Sequence, residues 1–175
     1  PEAAEEALSV AVAPWTERLP GGRWVDRDNW HMTLKFLGRT PPDLAAWVRA
    51  SCREAAAESS PFDLRFTGLG VFPGPSRARV LWAGLDDASG RLAGLAEAVE
   101  RRLETEFPRE KRGFTPHLTV ARFRAGLDVR ADINDLRATA ISSDPFRVDR
   151  LVLYRSHLSP RGARYEPVES FHLRG

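Results

Sequence analysis

Two copies of one four-residue pattern, His31-Met32-Thr33-Leu34 and His117-Leu118-Thr119-Val120, stand 86 positions apart in the chain. Each reads His, apolar, Thr, apolar inside a stretch rich in strand-forming residues. A strand points residues i and i+2 to the same face. Each copy therefore presents an imidazole and a hydroxyl together, while Met32 and Leu34, or Leu118 and Val120, face a core. With 8 Thr among 175 residues, two of four His meeting a Thr two places on is roughly a 1% coincidence. Two such faces meeting across a cleft would hold two proton carriers and two hydroxyl donors.

The intervening sequence supplies the elements. A helix is expected from Pro1 to about Trp15–Arg18, stopped by Pro20-Gly21-Gly22, then a short strand around Arg23–Val25 and a turn over Asp26–Asn29. The first motif strand is expected over His31–Leu37, closed by Gly38. Pro41-Pro42-Asp43 opens a second helix, with Leu44, Trp47, Val48 and Cys52 at helical spacing, ending near Ser59-Ser60-Pro61. Strands are expected at Phe62–Thr67 and Ala78–Leu85, separated by a loop over Val71–Pro75. Leu92, Leu95, Val99 and Leu103 mark one side of a long helix from Gly90 to about Glu106. A basic loop over Phe107–Pro116 holds Arg109, Lys111 and Arg112 and leads into the second motif strand, His117–Phe123. A helix over Ile133–Ala140, a strand over Phe146–Tyr154, a loop over Ser156–Gly162 and a last strand over Arg164–Leu173 complete the chain. Interleaved strands and helices without a linker describe one α+β domain over residues 1–175 with two pseudo-repeated halves.

Composition bounds the function classes. The apolar content of 42% is that of an ordinary soluble globule. The longest apolar runs fall far short of a membrane span, and no basic-then-apolar secretory signal opens the sequence. The lone Cys52 excludes an internal disulfide and fits a reducing cytoplasm. Charge is uneven: residues 1–100 carry 11 basic and 14 acidic side chains, residues 101–175 carry 15 and 10. Of the 26 basic residues, 24 are Arg, whose fork suits bidentate phosphate contact, although a GC-rich genome gives the same excess.

The repeated residues point to proton chemistry at phosphorus. Histidine holds or releases a proton near neutrality. One imidazole can take a proton from water while a second, protonated, delivers one to the leaving oxygen. Displacement at phosphorus sets attacking and leaving oxygens on opposite sides, and two His on opposite walls of a cleft meet that demand. The Thr33 and Thr119 hydroxyls can donate to non-bridging oxygens. A metal centre fits less well, because Thr is a poor ligand and neither His has a partner at ligand spacing. No metal and no cofactor is expected. No Gly-x-Ser-x-Gly elbow is present.

At this point the chain resembles a known family. Asn29-Trp30-His31-Met32-Thr33-Leu34-Lys35-Phe36-Leu37-Gly38 and Phe114-Thr115-Pro116-His117-Leu118-Thr119-Val120-Ala121-Arg122 are similar to the paired signatures of the two-histidine (2H) phosphoesterases. The closest branch is the bacterial RNA 2′,3′-cyclic phosphodiesterases, historically labelled 2′-5′ RNA ligases. Arg79–Leu85 and Leu153–Pro160 add to the resemblance. It implies a bilobal, pseudo-twofold fold, with two antiparallel sheets flanking a central cleft and helices outside. The implied activity is metal-independent hydrolysis of a 2′,3′-cyclic phosphate to the 2′-phosphomonoester. His31 and His117 become the acid–base pair and Thr33 and Thr119 the phosphate-oxygen donors, with His117 as base toward water and His31 as acid toward the 3′ oxygen. Family members begin with a short apolar strand ahead of the first helix, and this sequence opens directly in the helix.

Further residues have two readings each. Arg122 lies at an odd offset from His117, which puts it on the opposite face unless a bulge intervenes. Arg112 and Lys111 either steer a phosphate or form a solvated charge cluster. Phe72, Phe114 and Tyr154 either stack on a base or pack the core. Trp30 and Trp82 are expected in the core. His157-Leu158-Ser159, ahead of Pro160, is a degenerate echo of the motif in a loop, and His172 is expected at the surface. The expected substrate is an RNA end or a 2′,3′-cyclic nucleotide, taken by a monomer that needs no protein partner. The rivals are an RNA-end-binding module without turnover, a 2′-5′ RNA ligase and a cyclic ADP-ribose phosphate phosphodiesterase.

Overall fold

The computed structural model describes residues 2–159 and 162–175. Pro1, expected to open the first helix, and Pro160, expected to close the loop after His157, lie outside the described residues. The chain forms two compact units. The first holds residues up to Met32 with Leu64–Asp86 and Pro116–Phe146; the second holds Thr33–Asp63, Asp87–Thr115 and Arg147–Gly175.

In the first unit, helix α1 (Glu2–Arg18) buries Leu8, Val12 and Trp15, a spacing that keeps them on one stripe. Pro14 lies inside this helix and removes one donor from its ladder; Val10, whose carbonyl loses that bond, is exposed. The strands are β1 (Arg23–Trp24), β2 (Phe62–Phe72), β3 (Ala78–Asp86), β4 (His117–Leu127) and β5 (Phe146–Val148). They form one sheet in the order β1-β4-β3-β2-β5; β1–β4, β3–β4 and β2–β3 pair antiparallel. Leu69, Val71, Leu81, Ala83, Leu118, Val120 and Phe123 turn to the α1 stripe and make a single core with Val129, Ile141 and Leu136 of helix α4 (Ile133–Ala138). The other face of β3 and β4 is left for polar work.

In the second unit, helices α2 (Ala45–Ala57) and α3 (Arg91–Leu103) pack together, and α2 also packs on the hairpin of β6 (Arg150–Ser159) and β7 (Gly162–His172). Leu92, Leu95, Val99 and Leu103 are buried as their spacing requires. Asp87 caps α3, its carboxylate accepting the Leu92 and Ala93 amides at 3.1 and 2.9 Å. Two antiparallel sheets with helices α1–α4 make the α+β architecture expected from the sequence.

Four local expectations are corrected. The first motif is no strand: His31–Leu37 makes only one isolated antiparallel bridge, Met32 to Leu118. Lys35 is drawn instead to Glu100 of α3 and the Pro108 carbonyl, which takes the segment off any ladder. Val71 and Phe72 are not loop but the end of β2, because Val71 is core and pairs with Leu81, while Phe72 pairs with Val80. Phe146–Tyr154 is split at Asp149, whose carbonyl leaves the strand to accept the Leu173 amide at 2.9 Å. Residues 156–159, expected as loop, continue β6, held by cross-strand pairs such as Ser156–Tyr165 and by a hydrogen bond of 2.6 Å from His157 Nε2 to the Glu166 carboxylate.

Candidate active site

The register of β3 on β4 builds the polar face. Gly84 pairs with His117, Trp82 with Thr119, Leu81 with Ala121 and Val80 with Arg122. Between the second and third of these pairs β4 advances two residues while β3 advances one, so Val120 is the extra residue of a bulge. Gly84, Trp82 and Val80 share one face of β3. The bulge therefore returns Arg122 to the face of His117 and Thr119, which its odd offset would otherwise forbid. Val120 and Ala121 stay in the core.

His31 reaches this face from the turn before β4's bridging partner. The pairing of Met32 with Leu118 is antiparallel, so His31 and Thr119 flank it side by side. The turn is rigid. Asn29 and Trp30 amides bond the Asp26 and Arg27 carbonyls at 2.8 and 3.0 Å, and the Trp30 indole donates to the Val25 carbonyl at 3.1 Å. Arg27 ties it to α1 through Glu5 and Glu6 at 3.2 and 2.7 Å, an anchor with no periodic signal in the sequence. Trp30 packs against the core, as expected.

The imidazole of His31 donates from Nδ1 to the Asn29 carbonyl at 2.8 Å, which leaves the acceptor lone pair on Nε2. Burial lowers the His31 pKa below the usual histidine value; the Asn29 bond opposes this, and the charges of Arg122 and His117 lower it further. The charges of Arg122 and His117 thus reach His31.

His117 packs against two neighbouring rings. Phe72 meets it edge-on with centroids 5.2 Å apart, and Trp82 lies at 6.3 Å. Trp82, expected in the core, is instead half-buried on the polar face, since its register partner there is Thr119 and not a core residue. Phe72 is engaged by Trp82 and His117.

The remaining candidates belong to the second unit. Thr33 is exposed, Arg112 lies on an exposed loop and Phe114 is half-buried. Tyr154 is 40% exposed on β6, edge-on to Tyr165 at 6.1 Å. Arg109 is committed to Glu97 and Glu104. His157 is held by Glu166 and His172 is exposed. Cys52 is buried, and that burial pushes its thiol pKa up to about 11. Among the described residues no group of three or more His, Cys, Asp or Glu is gathered as metal ligands, and no helix is long and apolar enough to cross a membrane.

Two tetrads joined through one antiparallel bridge, on an α+β frame, define a family that sequence comparison identifies directly. The chain belongs to the 2′-5′ RNA ligase superfamily, whose family model matches residues 3–160. An RNA 2′,3′-cyclic phosphodiesterase of Aquifex aeolicus is 35% identical over 88% of this chain and 83% of that protein. A second protein of that name, from Geobacillus stearothermophilus, is 31% identical over 98% of this chain, which spans 54% of the relative's length. The crystal structure of TT0787 of Thermus thermophilus superposes with a TM-score of 0.84 at 28% identity, covering 100% of this chain and 94% of that one.

Proposed function

We propose that the protein hydrolyses RNA 2′,3′-cyclic phosphate ends to 2′-phosphomonoesters with its two histidines and no metal. The observation that carries this reading is the Met32–Leu118 bridge, which sets His31 beside Thr119 on the face of β4 that also holds His117 and Arg122. The name shared by the Aquifex and Geobacillus relatives supports the substrate class.

In the proposed reaction the water oxygen attacks phosphorus, its proton passes to His117, and the bond from phosphorus to the 3′ oxygen breaks. That oxygen takes its proton from His31, leaving a 3′ hydroxyl and a 2′ phosphate. Thr119 donates to a non-bridging oxygen, and Arg122 offsets charge as it builds there. Thr33, by its place in the repeated tetrad, supplies a second hydroxyl. Phe114 and Tyr154 are proposed to stack on the terminal base and Arg112 to attract the backbone. We further propose a monomer at work in the cytoplasm, since one chain supplies both imidazoles and the lone Cys52 suits a reducing compartment. Incubation of an oligoribonucleotide ending in a cyclic phosphate with the protein and a chelator tests the reading. Conversion of that end alone, with internal linkages intact, is expected; an unaltered end refutes it.

The assignment of acid and base has its own test. An acid must be protonated, so its contribution disappears as pH rises through its pKa. With His31 as acid and its pKa lowered in the free protein, kcat/KM falls from below the ordinary histidine value upward. Arg122→Gln removes one of the charges that lower it. The alkaline limb of kcat/KM should then move to higher pH. Movement of the acid limb instead would make His31 the base.

A further inference from the structure

Trp82 occupies a slot that the sequence keeps open for it. Gly70 is its cross-strand partner on β2. A Cβ on Gly70 would lie 2.2 Å from Cζ2 and 2.3 Å from Cη2 of the indole, a contact that no side chain could tolerate without displacing the ring. Gly84, two residues along β3 on the same face, would bring a Cβ to 2.2 Å from the Thr67 hydroxyl and to 3.2 Å from Cζ3 of the indole. Gly84 is also the residue paired with His117. The space that its side chain would fill is taken by the Thr67 hydroxyl, and the edge of the indole borders it. Phe72 closes the slot, its ring 5.1 Å from that of Trp82 and 5.2 Å from that of His117. The three rings all lie within the separation at which aromatic pairs interact.

Filling space does not explain the choice of residue. The Trp82 Nε1 is buried without an acceptor among the described residues. An orphaned buried donor is unfavourable, and a phenyl ring would avoid it. A larger ring that persists in spite of this must be needed for its reach, and what it reaches is His117.

We propose that Trp82, seated over Gly70 and Gly84 and backed by Phe72, is the positioning residue that fixes the ring angle of His117. This rests on His117 being one of the two proton carriers. The indole does not touch the substrate. It acts by holding the imidazole where its nitrogen and the attacking water stay in line, and a displacement of about 1 Å at such a group can lower turnover on the order of 100-fold.

The test combines histidine NMR of the ligand-free protein with kinetics on a 2′,3′-cyclic mononucleotide, using Trp82→Phe, Trp82→Leu, Gly70→Ala and the double variant Gly70→Ala/Trp82→Leu. In Trp82→Leu the ring-proton resonances of His117 should lose their ring-current displacement, and kcat should fall about 10- to 100-fold with KM little changed. Trp82→Phe, whose ring is shorter, should show both effects in part. Gly70→Ala should displace the indole and reproduce the His117 shift with Trp82 itself intact. On the Trp82→Leu background it should add nothing, since the clash is gone. Unmoved His117 resonances in Trp82→Leu, full kcat despite a moved ring, or additive losses in the double variant would each overturn the proposal. Should the wild-type protein fail to turn over cyclic nucleotides, the proposed function falls, while the resonances still decide what holds His117. If Trp82→Leu does not fold, Gly70→Ala and Trp82→Phe decide the question by the same two readouts.

Discussion

His31→Ala and His117→Ala should each lower cyclic phosphodiesterase turnover about 10²- to 10⁴-fold, the range that one positioned acid or base supplies. KM should change far less, because an imidazole that moves a proton in the transition state adds little to ground-state binding. The double variant should be scarcely slower than either single one, since neither proton transfer helps once its partner is missing. Folding should survive both changes. His31 is half-buried and bonded within its own turn, and His117 lies on the polar face of β4, outside the core. Steady-state kinetics with the circular dichroism of each variant checks this. A His117 variant with wild-type turnover would remove one proton carrier from the mechanism.

Lys35→Met should destabilise the second unit by roughly 3–5 kcal/mol, the usual result of stripping one partner from a buried ion pair. The Lys35 side chain is 2% exposed and that of Glu100 11%, with Nζ at 2.8 Å from Oε2. The ammonium also donates to the Pro108 carbonyl at 3.0 Å. The other Glu100 oxygen, Oε1, is already buried without a partner among the described residues. Loss of the ammonium would leave a carboxylate with no compensation at all. Lys35→Met/Glu100→Leu should return the urea midpoint to wild type or above, because two apolar groups of like size need no pairing. A single variant as stable as wild type would mean that the pair contributes nothing. Lys35 follows Thr33 by two residues, so its anchor on α3 also fixes where the segment after the first motif runs.

The sequence revealed the chemistry more readily than the local geometry, and particular residues show why. The repeated His-x-Thr pattern is written in residue types and survives any error of secondary structure. It singled out His31, His117 and Thr119, which the structure sets side by side on β4 and its bridging turn, although the first copy is not a strand. The strand expectation there came from alternating apolar residues, and a single buried lysine overrode it. Arg122 was ambiguous because a bulge changes the parity of a strand without any mark in composition; only the pairing of Val80 and Trp82 with β4 locates it. Trp82 was misplaced because a tryptophan in an apolar run reads as core. The glycines at 70 and 84 were the available signal, but their meaning depends on which strands are neighbours. Phe72 was read as loop for a related reason: the Pro and Gly that follow it obscured the end of β2. The helices were legible because caps and 3.6-residue periodicity are local, and α2 and α3 lie close to where their sequences put them.

Two imidazoles sharing one phosphorus are the centre of the proposed mechanism. The most direct measurement is phosphorus NMR of the product formed from adenosine 2′,3′-cyclic phosphate in the presence of a chelator. The expected product is the 2′-monophosphate alone, formed at the same rate with and without chelator and lost in His31→Ala. Formation of the 3′-monophosphate, or turnover that stops when divalent metal is removed, would contradict it.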